Sequence, residues 1–112
     1  MIFLLDDQNP SLIPNPDQAD ENGMVAVSLS LGTERLIAAY QKGIFPWMKM
    51  EAEPRYWCWF SPDPRMVLDT SSLRITRSLK KALFSGNFEI RIDQNFRQTM
   101  ESCAPLPRTG QE

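Results

Sequence analysis

The chain has 112 residues, 42% apolar and 23% charged, which predicts one small soluble globular domain with a modest core. It has no histidine and only two cysteines, Cys58 and Cys103. That excludes the usual zinc sites and any Ser-His or Cys-His catalytic pair, and both thiols are expected to stay reduced. The net charge of −2 is unevenly spread: residues 1–34 sum to −6 and residues 35–112 to +4, so a polyanion would meet the second part.

No apolar run is long enough to span a membrane, and the opening MIFLLDDQNP lacks the basic region of a signal peptide. A cytoplasmic location is the default expectation. Residues 1–22 read as an acidic leader; from 8 to 23 it is rich in Pro, Asn and Asp and is expected to run extended or turning over the surface. MVAVSL (24–29) predicts a short strand. Thr33 is placed to cap a helix, with Glu34 in its first turn and Leu36, Ile37 and Tyr40 on one face. Gly43 suits the left-handed residue that ends such a helix. Pro46 then blocks regular continuation, so GIFPW (43–47) reads as a rigid exit that holds Phe45 and Trp47 apart.

RYWCWF (55–60) predicts a buried strand, SPDPR (61–65) its turn, and RMVLD (65–69) a second strand. Thr76 is placed to cap a helix running to about Phe84. Leu79, Leu83 and Ala82 are expected to face inwards and Arg77, Lys80 and Lys81 outwards. Gly86 stops that helix. FEIRI (88–92) alternates strictly, the pattern of a half-buried strand, and Phe96, Met100 and Cys103 share one face of a last helix. Strands and about three helices without regular βαβ alternation predict a small mixed α+β domain over 23–104. Residues 105–112 read as an interrupted linker.

Two constellations have chemical potential. Tyr40, Trp47, Tyr56, Trp57 and Trp59 crowd into 20 residues. Aromatics stack on nucleobases, but they also fill cores; at least one of Trp57 and Trp59 is expected to be core, while Trp47, after a proline, is open to either role. Arg74, Arg77, Lys80 and Lys81 form a basic cluster that suits a nucleic-acid backbone or a plain solvated helix face. Asp63 is expected to cap its turn or pair with Arg65, and Cys103 to be buried. There is no Walker loop, no GxGxxG and no metal-ligand spacing.

LIAAYQKGIFPW (36–47), followed by WFSPDPRMVL (59–68) and then residues 72–104, resembles the leucyl/phenylalanyl-tRNA–protein transferases of bacteria, in order and spacing. The resemblance covers about two-thirds of the chain, and GIFPW with SPDPR is its most specific part. It implies transfer of Leu, Phe or Met from aminoacyl-tRNA to acceptor proteins with N-terminal Arg or Lys, marking them for N-degron degradation. It implies no cofactor and no metal. It implies that the chain corresponds to the family's N-terminal α+β domain and lacks the acetyltransferase-like C-terminal domain, so no catalytic residue is expected here. The chain would then be a fragment or truncated reading frame, inactive alone, or a tRNA-binding module. By the same resemblance, Tyr40 and Trp47 would line the pocket for the aminoacyl-tRNA 3′ end. Arg77, Lys80 and Lys81 would lie on the tRNA-backbone surface. Two departures stand out. SLSLG (28–32) replaces a common GGDLS, which changes the turn before the first helix. LFSGN (83–87) replaces further bases, which implies a weaker or shifted tRNA contact.

Overall fold

A computed structural model describes residues 1–104. It is α+β, with a four-stranded mixed sheet and three α-helices among the described residues. The strands are β1 (Phe3–Leu4), β2 (Met24–Ser28), β3 (Phe45–Lys49) and β4 (Trp57–Phe60). The helices are α1 (Thr33–Gln41), α2 (Arg77–Phe84) and α3 (Phe96–Cys103). The chain divides into two compact units, Met1–Val67 and Leu68 onwards. The expected single domain over 23–104 is therefore split between them, and the linker assigned to 105–112 lies outside the described residues.

The first unit holds the whole sheet, in the order β1-β2-β4-β3. β1 runs parallel to β2, and β4 is antiparallel to both β2 and β3. Trp59 pairs with Ala26 across the ladder and is fully buried, with Leu5, Ile13, Val25, Ala39 and Ile44 around it. Burial of these side chains stabilises by about 1.5–3 kcal/mol for each large one. The leader is not a separate surface strip. Its Phe3 and Leu4 form the edge strand that pairs with Ala26 and Val27 of β2, and Leu5 and Ile13 enter the core. The apolar letters inside an acidic, proline-rich stretch outweighed its turn chemistry.

α1 starts differently from its sequence signature. Thr33 is already helical; Gly32, at φ +68°, precedes it, and no side chain caps the end. The helix stops as expected. Gly43 takes φ +73°, its N–H donates to the Tyr40 carbonyl at 3.0 Å, and the Ile44 N–H donates to Ala39 at 2.9 Å. These paired bonds are a Schellman stop, and Ala39 and Ile44 complete it by meeting in the core.

The buried side of α1 is carried by Arg35 and Ala39, not by Ile37 and Tyr40, which are exposed. Arg35 is 1% exposed. Its Nη1 donates to Asp7 Oδ1 and to the Ser30 carbonyl, both at 2.9 Å, and its Nη2 to the Asp6 carbonyl at 2.9 Å. Its Nε has no partner among the described residues. Ser28 Oγ donates to that same Ser30 carbonyl at 2.7 Å and accepts from Trp59 Nε1 at 2.8 Å. SLSLG thus supplies both hydroxyl and carbonyl groups that hold the helix to the sheet.

The second unit begins with an Asp69-capped turn and continues through α2 and α3. Thr76 Oγ1 accepts from Leu79 N at 3.2 Å, as its position predicts. The rest corrects several expectations. Residues 65–69 and 88–92 form no strand. Alternation in FEIRI specifies which side chains share a face, but it supplies no neighbouring strand to pair with. Leu79, Leu83, Phe88, Ile90, Ile92, Phe96, Met100 and Cys103 are exposed. Helical spacing aligned these groups correctly; burial needs an opposing surface as well.

Replacing Arg35 with Met should destabilise the first unit by about 3 kcal/mol, because the Asp6 and Ser30 carbonyls lose a charged donor. The hydroxyl of Ser30 and the Arg35 guanidinium hold the Asp7 carboxyl below its ordinary value of 3.8. Its stabilising contribution is therefore complete above that ordinary value and is lost as pH falls through the lowered one. Urea midpoints measured from neutral to about pH 2 should show this acid-side loss, and Asp7→Asn should remove that part of it.

Candidate aminoacyl-tRNA site

β3 is an edge strand, paired on one side only, which is why it tolerates Pro46. The FPW part of GIFPW (45–47) thus opens an irregular strand, not the non-strand exit expected from the proline. Pro46 pairs with Trp59 and Met48 with Cys58, which are consecutive on β4. Trp47 is left as the inserted residue of a β-bulge. A bulge turns its extra side chain out of the regular pleat. Here the Trp47 ring meets the Phe60 ring edge-on, centroids 5.4 Å apart at 78°, and lies 6.1 Å from Phe45 at 45°. The indole remains 63% exposed. Edge contact anchors such a ring and leaves π surface free for stacking.

Tyr40 lies in the last turn of α1 and is 61% exposed. It is not a ring partner of Trp47, and its hydroxyl makes no hydrogen bond among the described residues. Both side chains expected at the site are therefore displayed by one unit and separated by the Gly43 stop. The other two tryptophans lie two apart on β4, where a period of two gives them one face, yet they differ in burial. Trp59 is core, and Trp57 lies under Lys49, whose Nζ is 5.2 Å from the ring centroid.

SPDPR sits directly against this segment. Arg65 Nη2 donates to the Gly43 carbonyl at 2.9 Å, and its Cζ lies 5.5 Å from the Phe45 centroid. Asp63, expected to cap the turn or pair with Arg65, forms no ion pair with it among the described residues. An open groove of about 550 Å³, lined by Asp17, Asp20, Lys42, Gly43, Asp63 and Arg65, runs beside the same joint. It carries both charge signs and is not lined by Tyr40 or Trp47, so the aromatic surface, not the groove, is the stacking candidate.

Arg77, Lys80 and Lys81 are all exposed on α2, within one broad face and free of ion pairs among the described residues. They belong to the second unit, so each group of site residues is described within its own unit. Sequence reasoning missed Arg35, which reads as one more solvated base, and the partner of Arg65, which lies 22 residues away. Cys58 is buried, and burial pushes its thiol up, making it a poor nucleophile.

Two family models match consecutive parts of this chain. Residues 30–63 match the leucyl/phenylalanyl-tRNA protein transferase N-terminal domain, and residues 67–112 match the leucyl/phenylalanyl-tRNA protein transferase model. The chain belongs to the leucyl/phenylalanyl-tRNA–protein transferase family. The change from one match to the next falls where the two compact units divide. A protein named leucyl/phenylalanyl-tRNA–protein transferase from Myxococcus xanthus (strain DK1622) is 47% identical over 110 residues, covering 98% of this chain and 46% of that protein. One of the same name from Dechloromonas aromatica (strain RCB) is 50% identical over 103 residues, 90% of this chain and 43% of that protein. The chain thus spans less than half the length of these relatives. Among the described residues no helix is long and apolar enough to cross a membrane.

Gly43→Ala should cost about 1–2 kcal/mol, since the left-handed φ strains any residue with a Cβ. The added Cβ would stand 3.6 Å from Arg65 Nη1, an ordinary contact. The loss is therefore conformational, and Gly43→Asn should lose less than Gly43→Ala in the same thermal melts.

Proposed function

We propose that this chain is the aminoacyl-tRNA-binding part of a transferase that moves Leu, Phe or Met from tRNA to the N-terminal Arg or Lys of acceptor proteins. The acceptor's uncharged α-amine attacks the ester carbonyl at the tRNA 3′ end. An amide bond forms, the ester C–O bond breaks, and the terminal tRNA hydroxyl leaves with a proton. The products would enter the N-degron pathway. In this reading Trp47 stacks on the terminal adenosine or the aminoacyl side chain, Tyr40 offers a hydroxyl to the ester region, and Arg77, Lys80 and Lys81 meet the tRNA backbone. The observation that carries it is the indole of Trp47, taken out of the pleat by a bulge, anchored at its edge and open to solvent.

No residue of this chain is assigned the proton transfer or the oxyanion. Because the chain spans under half the relatives' length, binding without catalysis is the activity proposed for it alone. Incubated with Phe-tRNA and a peptide beginning with Arg, the 112-residue chain should yield no phenylalanyl peptide; measurable product would refute this.

Phe-tRNA binding, followed by fluorescence anisotropy, should weaken with salt at a slope of about −0.9 per phosphate neutralised on duplex regions. Replacing Arg77, Lys80 and Lys81 together with Gln should flatten the slope by about two to three. Trp47→Ala should weaken binding about tenfold, the scale of one lost base–aromatic stack. An unaltered affinity in that variant would exclude the stacking role.

A further inference from the structure

Arg65 stands in a motif that the proposed binding reaction leaves without a role. Its guanidinium makes two kinds of contact with the segment leading into Trp47. Nη2 donates to the Gly43 carbonyl at 2.9 Å and, more weakly, to Ser61 Oγ at 3.4 Å. The same planar group lies over Phe45, whose ring is next to Trp47. A cation over a ring face is held by the ring's quadrupole, and a guanidinium can do this while also donating in a fixed direction.

Trp47 needs such support. As the inserted residue of the bulge it has no paired position on β4, so the ladder does not by itself define its orientation. Its ring is placed by Phe60 and Phe45. Phe60 belongs to the sheet and is buried. Phe45 is only half-buried and is the neighbour on which Arg65 bears. The guanidinium, Phe45 and Trp47 form a row that begins at a backbone carbonyl fixed by the end of α1.

We infer that Arg65 is a positioning residue for the aminoacyl-tRNA site. It holds the Gly43–Phe45 segment so that Trp47 presents a defined open face, and it does not itself touch the ligand. This rests on the reading of Trp47 as the stacking surface. Because Arg65 is exposed, its loss should leave folding almost unchanged, which separates positioning from general support.

The test uses the full chain labelled with fluorotryptophan. Fluorine NMR gives one resonance for each of Trp47, Trp57 and Trp59, with Trp47 assigned by its loss in Trp47→Phe. Binding is measured with adenosine carrying a phenylalanyl group through a stable 3′ amide. In Arg65→Ala the Trp47 resonance should move while those of Trp57 and Trp59 stay, the melting temperature should hold, and binding should weaken about fivefold. Arg65→Lys keeps the charge but not the planar fork and should recover only part of both effects. An unmoved Trp47 resonance in Arg65→Ala overturns the inference. So does movement of all three resonances together, which marks a general structural role. If Trp47→Ala weakens binding and Arg65→Ala does not, the positioning role fails while the stacking role stands. If Trp47→Ala leaves binding unchanged, the stacking role fails and the inference falls with it.

Discussion

The first unit is organised around a buried guanidinium. Arg35 lies inside α1 with almost no solvent contact, and its hydrogen bonds reach the leader through Asp6 and Asp7 and the β2–α1 turn through Ser30. A buried charge is costly unless its donors are used. Meeting that demand fixes where the leader and the turn must lie relative to the helix. The Ser30 carbonyl also accepts from Ser28, which in turn accepts from Trp59. One connected set of polar contacts therefore runs from the acidic N-terminal stretch to the centre of β4, through the apolar core. It gives the acids of the leader a structural use: Asp7 answers the only base buried in this unit's core.

The site is a consequence of that arrangement at one remove. With α1 held to the sheet, its C-terminal stop at Gly43 is fixed in space, and β3 starts from a defined point. Pro46 cannot add a ladder donor, and the bulge that follows puts Trp47 outside the regular pairing. Local irregularity in a strand is tolerable at an edge, and it is useful there, because a ring taken out of the pleat keeps exposed π surface. The two motifs that identify the family, GIFPW and SPDPR, meet through Arg65 and Gly43. Their separation along the chain hides a direct contact. Ile44 and Phe45 show how closely packing and display are joined in this segment: Ile44 is buried in the core, and Phe45 lies between Arg65 and Trp47.

The second unit presents a different physical situation. Its helix α2 has the expected cap at Thr76 and stop at Gly86, and both helices have the expected alignment, yet the apolar groups on them and on FEIRI are exposed. Periodicity records which side chains would face a partner surface; it does not bring that surface. The same limit applies to the basic residues of α2. Their grouping follows from helical spacing, which says nothing of what stands opposite them.

Much of the local structure was legible in the residues themselves. Thr76 as a cap, Gly43 as a left-handed stop, at least one of Trp57 and Trp59 as core and the α+β class all follow from short-range chemistry: a hydroxyl in reach of free N–H groups, a missing Cβ, and a period of two. So does the family, because GIFPW and SPDPR are specific strings in a specific order. What only the tertiary structure decided is pairing over distance. Pro46 became part of a strand because β4 was there to pair with it. Trp47 became an open platform because two consecutive β4 residues faced its neighbours. Arg35 became buried because Asp7, Ser30 and the Asp6 carbonyl converged on it, and 65–69 and 88–92 stayed unpaired for want of such neighbours. A sequence states what each residue can bond to over a few positions; which distant group arrives to satisfy it is set only when the chain closes on itself.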